Sequence, residues 1–276
     1  MDCNGILLID KPRGPSSHQV AAWIGKMFQC KVGHTGTLDP MVSGVLVVML
    51  GKSVKLAPLL LIHEKEYIVC MRLHSDVSRD KVETVINKFK GRIYQRPPRR
   101  SSVKRALRIR VIYQIKLIDM QDRLVLFHVK CETGTYMRSL CVHIGLLIGC
   151  GAQMIELRRI RSGEFCIEDT YTLHEIQDAV SNQDTEKLQS MILPPEKAIT
   201  NMPKIVVRSN AADAVSNGAI LAGVGITKFD PFSKNQIVAI IRKSGKLVAI
   251  ARTLIDSKTF NLGDTGYVAR SERVFS

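Results

Sequence analysis

The sequence predicts an α+β fold, in which a mixed, mostly antiparallel sheet with flanking helices is followed by a small, mainly β domain. Residues 65–73 alternate between apolar and polar side chains, and residues 123–131 are rich in Val, Leu and Phe, which is typical of strands. Near the C-terminus, residues 236–241 and 246–251 are short β-runs separated by a Ser-Gly turn, a pattern that favours a hairpin. In the predicted strand 65–73, Tyr67, Val69, Met71 and Leu73 lie on one side.

Two amphipathic helices are also predicted. Ser16 and Ser17 are good N-caps for a helix that runs to about Gln29. The apolar face of this helix would be formed by Val20, Trp23, Ile24, Met27 and Phe28. The second helix, which Thr135 could cap, would bury Met137, Leu140, Cys141, Ile144 and Ile148. Arg138 falls in its first turn, beside the buried stripe, where its side chain can reach a neighbouring loop.

The 276 residues are predicted to form two domains, residues 1–200 and residues 201–276. Around residues 178–203 the composition becomes polar and then rich in proline, which is typical of a domain boundary. The apolar fraction of 45% is enough for each domain to bury a core.

The charge of the chain predicts a polyanionic partner. Lys and Arg outnumber Asp and Glu by 40 to 25, a formal net charge of +15. Residues 96–110 contain seven basic and no acidic side chains, and residues 158–161 add a second basic cluster. Such runs are often only solvated faces, but two in one chain favour contacts with RNA phosphates. The candidate RNA-binding residues are Arg96, Arg99, Arg100, Lys104, Arg105, Arg108, Arg158, Arg159 and Arg161.

Several classes of protein are disfavoured. The seven cysteines contain no CxxC pair and the seven histidines no HxxxH pair, so no metal site is expected. The odd number of cysteines argues against a disulfide framework. The N-terminal apolar run breaks at Asp10, unlike a signal peptide, and the longest apolar stretches are far shorter than a membrane span. We therefore expect a soluble protein in a reducing, intracellular setting, with no membrane contact.

The segment GHTGTLDP, residues 33–40, is a candidate active-site loop. Its two glycines permit turns that other residues resist, and Pro40 biases Asp39 towards an extended conformation, so the carboxylate should project from the loop. His34 and Asp39 would then share one short loop. The alternative is an ordinary tight turn with a capping Asp. The segment also lacks the Gly-Lys-Ser/Thr ending of a phosphate-binding loop.

Six motifs, spread in order over about 160 residues, carry a resemblance to a known family. They are GILLIDKPRGPSSHQVAAW (5–23), VGHTGTLDPMVSGVL (32–46), KEYIVCMRLHSDV (65–77), YQRPPRRSSVKRALRIRVIY (94–113), CETGTYMRSLCVHIGLLIG (131–149) and ELRRIRSGEF (156–165). The chain resembles the TruB-type pseudouridine synthases, and within them the dyskerin-like branch of H/ACA ribonucleoproteins. The resemblance implies the pseudouridine synthase fold.

The implied reaction converts uridine into pseudouridine without cofactor or metal. The glycosidic bond is broken, the base turns within the site, and it is rejoined through carbon. The target base must leave its stack before a protein group can reach its sugar. Asp39 matches the family's catalytic carboxylate. The sequence leaves open whether Asp39 attacks the anomeric carbon or removes a proton from the sugar.

The resemblance implies supporting roles for five further residues. Arg138 would pair with Asp39 and fix its direction. Tyr67 would stack on the base and assist proton transfer, and Leu157 would form an apolar wall. Lys11 would support the pocket, and His34 would take part in base flipping. Taken singly, Tyr67 would be a half-buried strand tyrosine and Leu157 a core leucine. Lys11 would be a loop lysine and Arg138 a surface arginine. Because all of these residues occur in the family's order, the functional interpretation is favoured.

The C-terminal region resembles a PUA domain, the small, β-barrel-like RNA-binding module of this branch. The similarity is carried by Gly218, residues 220–224, the hairpin VAIIRKSGKLVAIA and residues 266–274. It is looser than in the catalytic part, because Ala222-Gly223 stands where relatives often have Pro-Gly and the stretch 227–234 is unusual.

The resemblance implies guide and substrate RNA and small H/ACA core proteins as partners, with no DNA partner. It places the protein in the nucleus and nucleolus, or in the cytoplasm if the source is archaeal. Two rivals remain: a stand-alone synthase that modifies the T-loop uridine of transfer RNA, and a non-catalytic scaffold of a ribonucleoprotein. The intact set of Lys11, Asp39, Tyr67 and Arg138 argues against the scaffold, which need not keep them.

Overall fold

A computed structural model describes residues 4–97 and 106–275 of the chain. Contacts divide these residues into two compact units. The larger unit comprises residues 6–50 and 57–192, and the smaller comprises residues 4–5, 51–56 and 193–275. The sequence placed a boundary between residues 200 and 201. The smaller unit also takes in short segments that are distant from it along the chain.

The larger unit is built on one mixed sheet. Its strands are β1 (Gly5–Lys11), β2 (Val32–Thr35), β3 (Ser43–Leu50), β4 (Lys65–Leu73), β5 (Gly91–Gln95), β6 (Arg108–Gln121), β7 (Leu124–Cys131), β8 (Ala152–Ser162), β9 (Phe165–Cys166) and β10 (Ile192–Leu193). The order across the sheet is β10-β1-β3-β8-β4-β7-β6-β5, with β2 paired to β3 and β9 paired to β8.

Most neighbouring strands in this sheet are antiparallel. Strand β4 pairs antiparallel with β7 on one side and β8 on the other, and β6 does so with β5 and β7. Strands β3 and β8 pair in parallel. The predicted mixed, mostly antiparallel sheet is confirmed. Its central strand β4 has Val69, Met71 and Leu73 buried on one face, as the alternation predicts.

Helices cover this sheet: α1 (Ser17–Phe28), α2 (Ala57–Leu61), α3 (Arg79–Asn87), α4 (Met137–Ile148), α5 (Leu173–Ser181) and α6 (Thr185–Met191). Helix α1 begins with a capping box between Ser16 and Gln19, as the serine N-cap predicts. Val20, Ile24 and Phe28 of the predicted apolar face are buried, but the prediction is wrong at Trp23, which is 41% exposed, while Ala21 is buried.

Helix α4 buries all five side chains that the sequence assigns to its inner stripe. The predicted cap is wrong: the N-cap is Tyr136, and the Thr135 hydroxyl donates instead to the carbonyl oxygen of Glu132. The helix ends at Ile148 and is followed by the C-cap Gly149, whose positive φ of 92° is easily reached only by glycine. Within residues 4–97 and 106–275, no helix combines the length and apolar character needed to cross a bilayer.

The smaller unit is a six-stranded sheet with one helix. Its elements are β11 (Lys204–Val207), α7 (Ser209–Ser216), β12 (Leu221–Ala222), β13 (Ile226–Phe229), β14 (Ile237–Arg242), β15 (Leu247–Thr253) and β16 (Tyr267–Val274). The order is β12-β16-β15-β14-β11-β13. The predicted hairpin is confirmed as β14 and β15, joined by a turn in which Gly245 has a φ of +85°. Its core includes Ile205, Val238, Ile240 and Val268.

Candidate active site

A cavity of about 360 Å³ opens in the larger unit, where four separate segments meet. These segments are the loop before β3, strand β4, the turn before α4 and strand β8. The cavity brings together four of the six residues that the sequence assigned to the active site, namely Asp39, Tyr67, Arg138 and Leu157. Val42, Lys65, Met137, Met154 and Arg159 also line it. Since these residues come from distant parts of the chain, only the fold could assemble them.

Buried hydrogen bonds tether the loop that carries Asp39. The Ser17 hydroxyl donates to the carbonyl oxygen of Leu38 at 2.9 Å and accepts from the Leu38 N–H at 2.8 Å. The Lys11 ammonium donates to the carbonyl oxygens of Pro12 and Val42, both at 2.8 Å. Burial lowers the pKa of Lys11. Lys11 therefore lies behind the loop and supports it from within the protein.

Arg138 forms an ion pair with Asp39 across the cavity. Its Nη2 donates to Asp39 Oδ2 at 2.7 Å, and both side chains remain at least half exposed. The start of α4 is held by Gln95, whose side chain accepts from the Tyr136 N–H at 2.9 Å and donates to the Tyr136 carbonyl oxygen at 3.1 Å. The first turn of α4 is thereby fixed, and it directs Arg138 towards the carboxylate.

Strands β4 and β8 place the inner residues of the site side by side. Their antiparallel register sets Tyr67 opposite Arg159 and Val69 opposite Leu157. Arg159 lines the cavity beside Tyr67, and its Nε donates to the carbonyl oxygen of Val45 at 2.8 Å. Burial raises the pKa of the Tyr67 phenol, and the nearby Arg159 charge opposes that rise.

The prediction that Arg159 is an exposed phosphate contact is wrong. The residue is 1% exposed and lines the cavity. Successive residues of a strand point to opposite faces, so Arg159 shares a face with Leu157 and not with its neighbour Arg158. A run of arginines in the sequence concealed this alternation.

Sequence reasoning missed Lys65, which is buried at the cavity wall and donates to the carbonyl oxygen of His63 at 2.9 Å. Burial, with repulsion from Arg159, lowers its pKa to about 7. The signal was present, because Lys65 is two residues before Tyr67 in an alternating strand and must therefore share its face.

His34 does not line the cavity. It lies on strand β2, and its ring packs edge-on against His18 with the ring centroids 4.8 Å apart. Neither ring nitrogen has a hydrogen-bond partner, and burial, with repulsion from His18, lowers the pKa of the ring. The expectation that His34 shares the Asp39 loop is wrong, because the segment Val32–Thr35 pairs with β3 as a strand.

The predicted RNA-binding arginines differ in their surroundings. Arg158 makes two hydrogen bonds to Asp10, at 3.0 and 2.7 Å, and Arg161 lies 3.6 Å from Glu66. Arg96 is exposed, and Arg108 begins β6. The other four, Arg99, Arg100, Lys104 and Arg105, fall outside the described residues. Their contacts with RNA remain predictions.

The side chains that commonly bind metals are dispersed. In the part of the chain that the structure describes, no group of three or more His, Cys, Asp or Glu side chains could hold a metal ion. The ionisable groups that line the cavity are instead a carboxylate, tyrosine phenols and three cationic side chains.

Three family models match consecutive parts of the chain. The TruB family pseudouridylate synthase (N terminal domain) matches residues 25–137, and the tRNA pseudouridylate synthase B C-terminal domain matches residues 138–200. The PUA domain matches residues 203–275.

Similar proteins match nearly the whole chain. A probable tRNA pseudouridine synthase B of Methanosarcina barkeri is 41% identical, over 98% of this chain and 82% of its own. One of Sulfurisphaera tokodaii is 44% identical with the same coverage. Among solved structures, a Cbf5-Nop10-Gar1 complex gives a TM-score of 0.90 at 44% identity, and an H/ACA RNP bound to a substrate RNA containing 2′-deoxyuridine gives 0.89 at 41%. Each covers 99% of this chain and 85% of the matched one.

Proposed function

The chain belongs to the TruB family of pseudouridine synthases, and on this basis we propose that it is the catalytic subunit of an H/ACA-type ribonucleoprotein, with Asp39 as its catalytic residue. The enzyme class, the α+β fold and the C-terminal PUA domain predicted from the sequence are confirmed. The assignments of individual residues, the guide RNA and the partners belong to the proposal.

The ion pair between Asp39 and Arg138 is the observation that carries the catalytic assignment. A carboxylate held at 2.7 Å from a guanidinium has a fixed direction, and it lies at the mouth of a cavity that also contains Tyr67 and Leu157. An extruded uridine would place its base against these inner residues and its sugar beside the carboxylate. Attack on C1′ or removal of a sugar proton would start from this position.

The overall reaction exchanges one bond of the sugar for another. The C1′–N1 bond breaks and its electron pair stays with the base, the base turns, and a C1′–C5 bond forms. The C5 proton is lost and N1 gains one, so the product is an isomer of the substrate. Arg138 orients the carboxylate throughout, and the cavity keeps the freed base beside the sugar.

Similarity to Cbf5 over 99% of the chain supports the guide-RNA complex, because Cbf5 was solved with Nop10 and Gar1 and an H/ACA ribonucleoprotein was solved with substrate RNA. In this proposal, small core proteins of that kind and a guide RNA bind the chain, and the PUA domain contributes to holding the guide. The complex would act on ribosomal and other RNA in the nucleolus, or in the cytoplasm of an archaeon. Imaging of the tagged protein in its source cells tests this location.

The names of the similar archaeal proteins favour a second function, modification of transfer RNA by the protein alone. The test supplies one protein preparation with transfer RNA alone, or with guide RNA, core proteins and substrate RNA, and scores pseudouridine at each uridine. Turnover only in the guided reaction supports the first proposal. Equal turnover on transfer RNA alone replaces it with the second.

The same assay tests Asp39. Asp39→Asn keeps the size of the side chain but removes its charge, so turnover should fall at least ~10³-fold while RNA affinity changes only a few-fold. Arg79→Gln, at an exposed ion pair with Asp119, is the control for the loss of a charged residue. Near-normal turnover by Asp39→Asn would refute the assignment. An inactive wild type that still binds guide RNA would favour the scaffold.

A further inference from the structure

The buried side chains that line the cavity include two cations. Lys65 is 3% exposed and Arg159 is 1% exposed. Among the described residues, no carboxylate forms an ion pair with either of them. Asp39, which also lines the cavity, is already paired with Arg138. Burying a charge without a counter-ion is unfavourable, so these two cations indicate that a molecule inside the cavity brings the negative charge.

Three titratable groups beside Lys65 are neutral at neutral pH. Cys131 of β7 lies opposite Lys65 in the antiparallel register, and burial raises the pKa of its thiol to about 12. Burial also raises the pKa of the Tyr67 phenol and lowers the pKa of the His63 ring. None of these groups offsets the charge of the Lys65 ammonium.

The Lys65 ammonium has donors that the protein does not use. An ammonium group has three N–H donors, and among the described residues its one acceptor is the carbonyl oxygen of His63, at 2.9 Å. Lys65 and Tyr67 are two positions apart on β4, so their side chains leave the same face of the strand, and both line the cavity. A uracil base held against Tyr67 would therefore lie beside an ammonium that can donate to its carbonyl oxygens.

We propose that Lys65 is a catalytic residue for pseudouridine formation, whose ammonium contacts a carbonyl oxygen of the extruded uracil and balances the negative charge of the base while it is detached from the sugar. The proposal rests on the cavity being the active site. When the C1′–N1 bond breaks, its electron pair passes to the base, and the charge spreads over N1, O2 and O4. Lys65 keeps its protons. The base becomes neutral again when the C1′–C5 bond has formed, the C5 proton is lost and N1 gains one.

The absence of a protein counter-ion makes this stabilisation selective. In the resting site, burial and the charge of Arg159 both disfavour the ammonium and lower the pKa of Lys65 to about 7. An anionic base beside Lys65 has the opposite effect, because an opposite charge favours the ammonium form. The ammonium is therefore stabilised more by the detached base than by neutral uridine, and such a difference lowers the barrier to bond cleavage.

A leaving-group comparison tests this role. Single-turnover rates are measured for the wild type and Lys65→Met on whichever RNA the wild type modifies, with uridine or 5-fluorouridine at the target position. Fluorine at C5 withdraws electrons and stabilises the detached base by itself, so the reaction of 5-fluorouridine should depend less on Lys65. Because fluorine replaces the hydrogen at C5, the disappearance of the starting nucleoside is scored for both substrates. Lys65→Met should slow the reaction of uridine about 100-fold and that of 5-fluorouridine about 10-fold or less.

A purely structural Lys65 gives a different result. A distorted site would slow the two substrates by the same factor, and this outcome would overturn the proposal. Lys130→Met is the matched control, because Lys130 lies on the neighbouring strand β7 and pairs with Glu66 on the opposite face of the sheet. Its rates should stay within about two-fold of the wild type on both substrates. If Lys65→Met does not fold, as judged by thermal unfolding, Lys65→Gln replaces it, and equal slowing of both substrates overturns the proposal there too.

A parallel measurement separates this proposal from the catalytic assignment of Asp39. Asp39→Asn is assayed beside these variants on the uridine substrate. Equal slowing of both substrates by Lys65→Met, beside an inactive Asp39→Asn, refutes the role of Lys65 alone. A loss that depends on the leaving group, beside an active Asp39→Asn, refutes the role of Asp39 alone. A wild type that modifies no RNA refutes the proposed function, and this proposal with it.

Discussion

Lys65 gives the candidate active site a titratable group in the neutral range. Its pKa near 7 results from burial and from the charge of Arg159, both of which disfavour the ammonium form. An exposed lysine in the unfolded chain titrates at about 10.5. Between these two values the unfolded chain binds more protons than the folded protein, so the free energy of unfolding should rise with pH across this window.

Replacing Lys65 should remove this pH dependence. We expect the stability of the wild type to increase by about 3–5 kcal/mol more than that of Lys65→Met between pH 7 and 10.5. Below pH 7 the lysine is protonated in both states, and the difference between the two proteins should be constant. Denaturant unfolding at a series of pH values measures this. Parallel stability curves for the two proteins throughout would show that Lys65 has an ordinary pKa.

The two buried cations that line the cavity, Lys65 and Arg159, were predictable in principle from the sequence. Lys65 and Tyr67 are two positions apart on an alternating strand, and so are Leu157 and Arg159, so each pair shares a face. His34 was not predictable in this way, because its burial depends on the pairing of β2 with β3 across the Asp39 loop. The alternation along a strand predicts which face of the sheet a residue lies on. The element that pairs or packs with that strand is determined by the whole fold.

At the scale of elements, the start of α1 controls the loop that carries Asp39. Ser17 lies in the first turn of the helix and makes both of its hydrogen bonds to the backbone of Leu38, the residue before Asp39. Its neighbour Ser16 caps the helix. The Ser16 N–H donates to the Gln19 side chain and the Ser16 hydroxyl accepts from the Gln19 N–H, so these hydrogen bonds stay within the helix. Two adjacent serines therefore have separate roles.

Ser17→Ala should reduce turnover more than its effect on stability explains. The buried N–H and carbonyl of Leu38 would lose their partner, at a cost of about 1–3 kcal/mol, and the carboxylate of Asp39 would no longer be held in place. We expect a roughly 10-fold or larger loss of turnover. Ser16→Ala is the matched control, since loss of a cap costs about 1 kcal/mol and should leave turnover within two-fold. Equal losses in the two variants would refute the tether.

The sequence predicted helices α1 and α4 and strands β4 and β7 of the larger unit well because their apolar spacing is regular. It failed at Trp23, where an aromatic side chain at helical spacing is exposed, and at Thr135, where the capping position moved by one residue. A large apolar side chain is assigned to the core by its type, whereas its exposure depends on which elements cover it. Thr135 illustrates that a capping residue can also bond within the preceding turn.

At the scale of the whole molecule, the positive charge predicts RNA binding that weakens steeply with salt. With about six phosphate contacts, the affinity for guide RNA should fall roughly 10³-fold between 50 and 200 mM salt. Replacing Arg99, Arg100, Lys104 and Arg105 by Gln should lower the slope of log affinity against log salt by about 0.7–0.9 for each phosphate that is no longer neutralised. The control replaces Arg79 and Arg123, which lie in exposed ion pairs. An unchanged slope in the first variant would exclude the basic run from the RNA interface.

The discontinuous smaller unit could not be predicted from local composition. The polar and proline-rich stretch before residue 203 indicated a domain boundary. Nothing in the sequence of residues 51–56, however, marks them as part of the unit formed by the C-terminal strands. Their membership depends on contacts such as the hydrogen bond from the Lys55 ammonium to the carbonyl oxygen of Val274, at 2.8 Å.

This arrangement affects how the chain is made and how it can be divided. On the ribosome, residues 51–56 emerge long before strands β11 to β16, so the smaller unit cannot be completed until those strands have been synthesised. A transplanted fragment that starts at residue 203 would leave those residues behind and lack part of its own surface. A fragment meant to bind RNA on its own should therefore carry residues 51–56 as a fused segment.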